Sequence, residues 1–267
     1  MSPALALLLL EPYRHHPFEF LSYTLAELIM LDVVEARYHE VRAHPNDPAR
    51  IKLAYLERGE NFETFEPARY HDLLLKELYE RPRFPFNHLA IRICDDLGWK
   101  PGRYKYEYLQ PALIQGKLLR PHFDWPAHWY LPTKQGYKER RLLRMALRQV
   151  GYNFGRWCNQ EKGKILEWLQ IYGPMILAAP AIPFADLRML PEIAFNPAEW
   201  SDGVEATWQF GIRQLAPPET FVQLDHFVGR WEKDLESALE RGGKGVSRIS
   251  DMDILDLEDW REDFSPW

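Results

Sequence analysis

The chain lacks the features that would place it at once in most functional classes. It has two cysteines, Cys94 and Cys158, far apart and outside any CxxC pattern. That argues against a disulfide framework, leaves one pairing open, and fits a reducing compartment. There is no glycine-rich phosphate loop, no dinucleotide fingerprint and no nucleophile elbow. Long apolar runs are scarce. The N-terminal "ALALLLL" has no basic flank or small-residue cleavage site and meets Glu11 at once, so it reads as a buried first helix or strand, not a signal peptide. Ile165 to Ala185 holds Glu167, Gln170 and three prolines, which suits a core segment better than a membrane span; contact with a membrane surface stays open.

Histidine and carboxylate patterns are equally thin. "HEVRAH" places His39, Glu40 and His44 near the zinc-binding HExxH pattern, but the second histidine comes one residue too late, in a segment that reads as a strand. His15 and His16 have no cysteine or carboxylate at metal spacing, and Asp95–Asp96 reads equally as a solvated helix end. The expectation is a non-enzymatic binding protein with no catalytic residues, no metal and no cofactor.

What the sequence does have is charge asymmetry. A net charge of −6 conceals three blocks. Residues 100–164 carry 14 Lys/Arg against four Asp/Glu, whereas residues 1–99 are acidic by five and residues 165–267 by eleven. A basic centre between acidic flanks points to an anionic partner, either a nucleic acid or an acidic protein surface.

The periodicity predicts an α+β, mainly helical protein with small antiparallel hairpins. Phe20, Leu21, Leu25, Leu28, Ile29 and Val33 trace a helix, with Thr24 and Glu27 as its capping box. Residues 37–62 alternate around "HPNDP" as a hairpin. A helix runs from Pro67 to before Pro82, and another from the N-cap Asn87 through Leu89, Ile93 and Leu97 to Gly98. Pro111 starts or kinks the next helix, Gly116 ends it, and two short strands with a "DWPA" tip lead to a final helix. "GYNFGRWCNQEKGK" reads as a linker or turn. Phe221, Leu224, Val228, Trp231, Leu235 and Ala238 mark the best helix in the chain. The organisation expected is a helix–hairpin–helix unit over 1–82, a basic module over 83–150, and a helical region with an acidic tail over 151–267.

Leu113, Ile114, Gly116, Leu118 and Leu119, then Leu131, Thr133, Gly136 and Tyr137, form a pattern in the central block, and over about residues 84–150 that block resembles the winged-helix family. Pro111 inside the second helix and Pro132 before Thr133 depart from the family pattern. The resemblance implies a module that contacts DNA or protein. Candidate contact residues are Arg103, Lys105, Lys117 and Arg120 around the second helix and hairpin, and Trp125 and Trp129 in the wing. Lys134, Lys138, Arg140, Arg141, Arg144 and Arg148 add a basic final helix. Tyr104, Tyr106 and Tyr108 interleave with them as stacking groups, or as core. Nucleic-acid binding by a cytoplasmic protein is the first reading, and a protein-interaction adaptor or complex subunit is the second. Residues 250–267 carry seven carboxylates, one arginine and two tryptophans. They either complete the helical core or dock on the basic module.

Overall fold

The computed structural model describes residues 1–12, 14–42, 50–121, 130–191 and 216–243. The fold is mainly helical with two small antiparallel sheets. Helix α1 (Pro3–Leu10) reads PALALLLL, and all eight residues are buried. A helix with no polar side must be covered all round, and α1 is: it packs against α2 (Pro17–Met30), α5 (Gln110–Gln115), α6 (Lys134–Asn159) and a 3-10 turn at Gly173–Ala178. Buried residues from 1–82, 83–150 and 151–267 join one cluster around it.

Strands β1 (Val34–Arg42) and β2 (Arg50–Arg58) pair antiparallel from Val34–Arg58 to Arg42–Arg50, as the alternation predicts; the turn between them lies outside the described residues. Strand β3 (Arg83–Pro85) adds to β2 and leads into α4 (Phe86–Asp96). Helices α8 (Pro218–Val222) and α9 (Leu224–Gly243) bury the stripe expected of the last helix, with a break at Gln223. Trp231 is fully enclosed, its ring edge-on to Phe86 at 5.7 Å.

Several local expectations need correction. Helix α2 begins at Pro17, not near Thr24. His16 and Glu19 form the capping box, with the Phe18 N–H donating to the His16 ring and the His16 N–H to the Glu19 carboxylate. Thr24 lies mid-helix, where its hydroxyl donates to the Phe20 carbonyl at 2.9 Å. Helix α3 (Asp72–Glu80) begins five residues after Pro67, because Ala68 and His71 close a turn of their own: the Ala68 N–H donates to His71 Nδ1 and the His71 N–H to the Ala68 carbonyl. Asn87 lies inside α4, whose N-cap is Pro85. The expected linker at residues 151–164 is mostly helix. Helix α6 runs to Asn159 because Phe154, Trp157 and Cys158 continue the buried stripe of Leu143, Leu147 and Val150, and this packing outweighs Gly151 and Gly155. Helix α7 (Lys162–Tyr172) follows after one short turn.

Two backbone locks fix the layout. At the end of α2, Asp32 adopts a left-handed conformation (φ 52°), and its carbonyl accepts from the Asn61 N–H at 2.9 Å. A Cβ on Gly59 would lie 2.3 Å from that carbonyl oxygen, so only glycine lets β2 end there. In the basic module, a π-helical turn over Tyr104–Leu109 passes into α5 at Pro111, whose missing N–H is harmless at a first turn. Strands β4 (Leu119–Pro121) and β5 (Tyr130–Pro132) pair, and Thr133 caps α6 by accepting from the Gly136 N–H at 3.0 Å. A Cβ on Gly136 would lie 2.0 Å from the Leu118 carbonyl oxygen, so this position requires glycine. The helix, helix, hairpin, helix order is therefore present over 86–159. Strand β3, however, joins β1 and β2 and not the β4–β5 hairpin.

Two outcomes follow from these locks. Gly136→Ala should lower stability by roughly 2 kcal/mol or more, whereas Gly155→Ala, with nothing within 4 Å of its added methyl, should raise it by about 0.5–1 kcal/mol; chemical denaturation of both variants measures the contrast. The second outcome is pH-dependent. Burial, with Glu35 and Glu60 nearby, pushes the Asp32 carboxyl up to about 6. Its protonated form is the one that folding favours, so this contribution is full below about pH 4 and is lost as pH rises through 6. Asp32→Asn, which tolerates the left-handed backbone, should stabilise the protein at pH 7 and flatten its stability profile between pH 4 and 6.

Candidate functional site

Helix α6 carries one face of unusual composition. Lys134, Tyr137, Lys138, Arg141, Arg144, Met145, Arg148 and Tyr152 recur at intervals of three and four, so they share one side of the helix over about 27 Å. All eight are exposed. Glu139, the single carboxylate on α6, is half-buried and off this face. Among the described residues no carboxylate lies within salt-bridge distance of Lys134, Lys138, Arg141, Arg144 or Arg148, although many other cations of the chain are paired in that way. Tyr137, Arg140, Arg141, Arg144, Met145 and Arg148 line an open groove of about 370 Å³. Like charges one turn apart on a helix each cost a few tenths of a kcal/mol, so this row is electrostatically unfavourable until an anion meets it.

The predicted contact residues divide into two groups. Arg140 is half-buried and donates from Nη2 to the Leu10 carbonyl, as Arg144 does at 3.5 Å, so both satisfy the C-terminal end of α1. Burial and the charge of Arg144 bring Arg140 below the ordinary guanidinium range. Lys105 donates to the Pro12 carbonyl, and burial lowers its pKa. Arg103 holds Glu107 through two hydrogen bonds of 2.6 and 2.9 Å, which raises its own pKa and lowers that of Glu107. Of the charges around the expected second helix, Arg103 and Lys105 are therefore engaged within the chain. Lys117 and Arg120 remain exposed at the base of the β4–β5 hairpin, where Thr133 Oγ1 donates to the Lys117 carbonyl beside the start of α6. Trp125, Trp129 and the tail at 244–267 lie outside the described residues.

Tyr104 is core. It is fully enclosed, donates to the Tyr70 carbonyl at 2.9 Å, lies 2.8 Å from the Thr24 hydroxyl, and has its pKa raised by burial. The exposed aromatic and apolar groups are instead Tyr137, Met145 and Tyr152, at 58, 59 and 91% exposure. Reading the basic residues of 134–152 on the same helical wheel as the aromatic ones would have found them.

Two other groupings carry less. Ser2, Glu27 and His71 converge: Ser2 Oγ donates to Glu27 Oε2 at 2.5 Å, and His71 Nε2 lies 3.6 Å from the same oxygen. His71 Nδ1 accepts from the Ala68 N–H, so Nε2 bears the proton that faces Glu27. All three are 3% exposed or less, so the cluster ties α2 to the chain around it and offers no route to a substrate. Cys94 and Cys158 are free and buried, which pushes their thiols up to about 12 and about 11 and leaves them protonated. Among the described residues no helix is long and apolar enough to cross a membrane, and no group of His, Cys, Asp and Glu could hold a metal ion.

No family model, curated protein or solved structure matches this chain. The division of the arginines is measurable in stability alone. Arg140→Gln should cost about 1–2 kcal/mol by weakening the cap on Leu10. Arg141→Gln and Arg148→Gln should stay within about 0.5 kcal/mol of the parent, or stabilise it, because they relieve repulsion. Urea denaturation of the three variants checks this.

Proposed function

We propose that the chain is a cytoplasmic, non-enzymatic nucleic-acid-binding protein that holds the phosphate backbone on the exposed face of α6. The observation that carries this reading is the row of Lys134, Lys138, Arg141, Arg144 and Arg148 with no carboxylate partner among the described residues. Each cation that meets a phosphate releases condensed counterions, and the same contact relieves the repulsion within the row. Lys134 strengthens the field, since the first turn of α6 holds no acidic residue and the helix N-terminus is itself positive. In this reading the 86–159 region is a winged-helix-like module that has moved its contact surface from the second helix to the last.

The departure has a physical basis. Helix α5 is six residues long, buries Gln110 and Leu113, and leans on α1, so it presents no row of free side chains for a groove. A second reading, as a protein-interaction adaptor, is favoured by the exposed Tyr137, Leu142, Met145 and Tyr152, of which Tyr and Met are enriched in protein interfaces. In that reading the occupant of α6 is an acidic protein surface, or this chain's own acidic segment at 250–267.

A salt titration separates the two. Oligonucleotide affinity should fall linearly on a log–log plot against salt concentration, and Arg141→Gln and Arg148→Gln should each lower the slope by about 1. Absence of binding at low salt would remove the nucleic-acid reading and leave the adaptor.

A further inference from the structure

We infer that the nucleic acid taken by α6 is single-stranded, an inference that rests on the nucleic-acid reading above and names the form of polymer. It starts from the groups that the phosphate argument does not use. Tyr152 is 91% exposed, Tyr137 58% and Met145 59%, and all three lie on the same helical face as Arg141, Arg144 and Arg148. On the outside of a duplex such groups meet phosphate and sugar, which offer an aromatic ring no face to stack on, because the bases are already stacked on one another. A surface built for the duplex backbone alone needs its cations and gains nothing from two solvated tyrosines.

A single strand supplies what is missing. Its bases present free π-faces, and stacking on an aromatic side chain accepts any base, while arginine both meets phosphate and stacks through its guanidinium plane. On α6 the order is tyrosine, then three arginines about one turn apart with Met145 among them, then tyrosine, a span of about 22 Å. A run of cations with a ring at each end suits a strand whose phosphates are tracked along the line and whose bases stack at its two ends. Arg156, one turn beyond Tyr152, is held by Glu161 at 3.3 Å and by the Asn153 side chain at 2.6 Å, so the free row ends at Tyr152. Helix α5, which the winged-helix pattern would offer to a major groove, leans on α1 and buries Gln110 and Leu113.

The test compares a labelled oligothymidylate with a duplex of the same length, using the full chain at one fixed low salt concentration and then across a salt series. The single strand should bind at least about tenfold tighter. Tyr152→Ala and Tyr137→Ala should each weaken that binding by about tenfold, leaving duplex binding, the salt slope and the unfolding midpoint unchanged, while Tyr152→Phe retains the affinity. Duplex binding as tight as single-strand binding, or tyrosine variants without effect, overturns the inference and leaves the nucleic-acid reading standing. Failure to bind either polymer, or equal binding of polyglutamate, overturns both.

Discussion

Helix α1 has no polar side, and the rest of the fold is arranged to answer that. Eight residues are too few to hold a helix alone in water, so α1 exists only while every side of it is covered. Its neighbours come from widely separated parts of the chain: α2 next to it, α5 about a hundred residues on, and α6 and the 3-10 turn at Gly173–Ala178 later still. The charge blocks of the sequence therefore do not mark separate cores. The basic block is placed where it is because its helices form two of the walls around α1.

Burying α1 leaves its terminal carbonyls to be satisfied, and the basic block does this as well. Arg140 and Arg144 reach Leu10, and Lys105 reaches Pro12. Along α6 the cations thus fall into two ranks. Arg140 leans inward as a cap, while Arg141 and Arg148 stand in solvent, and Arg144 belongs to both ranks. The outward rank inherits a rigid base, because α6 is anchored by Leu143, Leu147, Val150 and Phe154 along its whole buried stripe. A surface on such a helix keeps its spacing.

Much of this was legible in the sequence wherever a local rule is strong. The β1–β2 hairpin follows from alternation, Gly98 ends α4 with φ of 60°, and Thr133 opens the long helix with its hydroxyl. The stripe ending at Ala238 follows from spacing alone. What failed did so because tertiary contacts decided it. Histidine is an uncommon cap, so the sequence points to Thr24 and not to His16, whereas Thr24 faces Tyr104 in the core. Gly151 and Gly155 read as a break, and the aromatic groups beyond them overrule that. Arg140 and Arg141 are adjacent and chemically identical, and only the position of α1 separates structural from free charge. Tyr104 and Tyr152 differ in the same way: one is the centre of a hydrogen-bonded core and the other stands in water.

The placement of α1 also has a consequence for synthesis. The octapeptide leaves the ribosome first among the elements described, yet its last covering element ends at Ala178. At about 5–20 residues per second, the interval is on the order of ten seconds or more. Until α5 and α6 follow, a stretch of five leucines and two alanines after a proline has no partner but α2, and its cover stays incomplete until Ala178. The growing chain thus carries an adhesive segment whose cover is completed only by residues made more than 160 positions later. Faster elongation shortens that exposure, and a chaperone that holds α1 removes it.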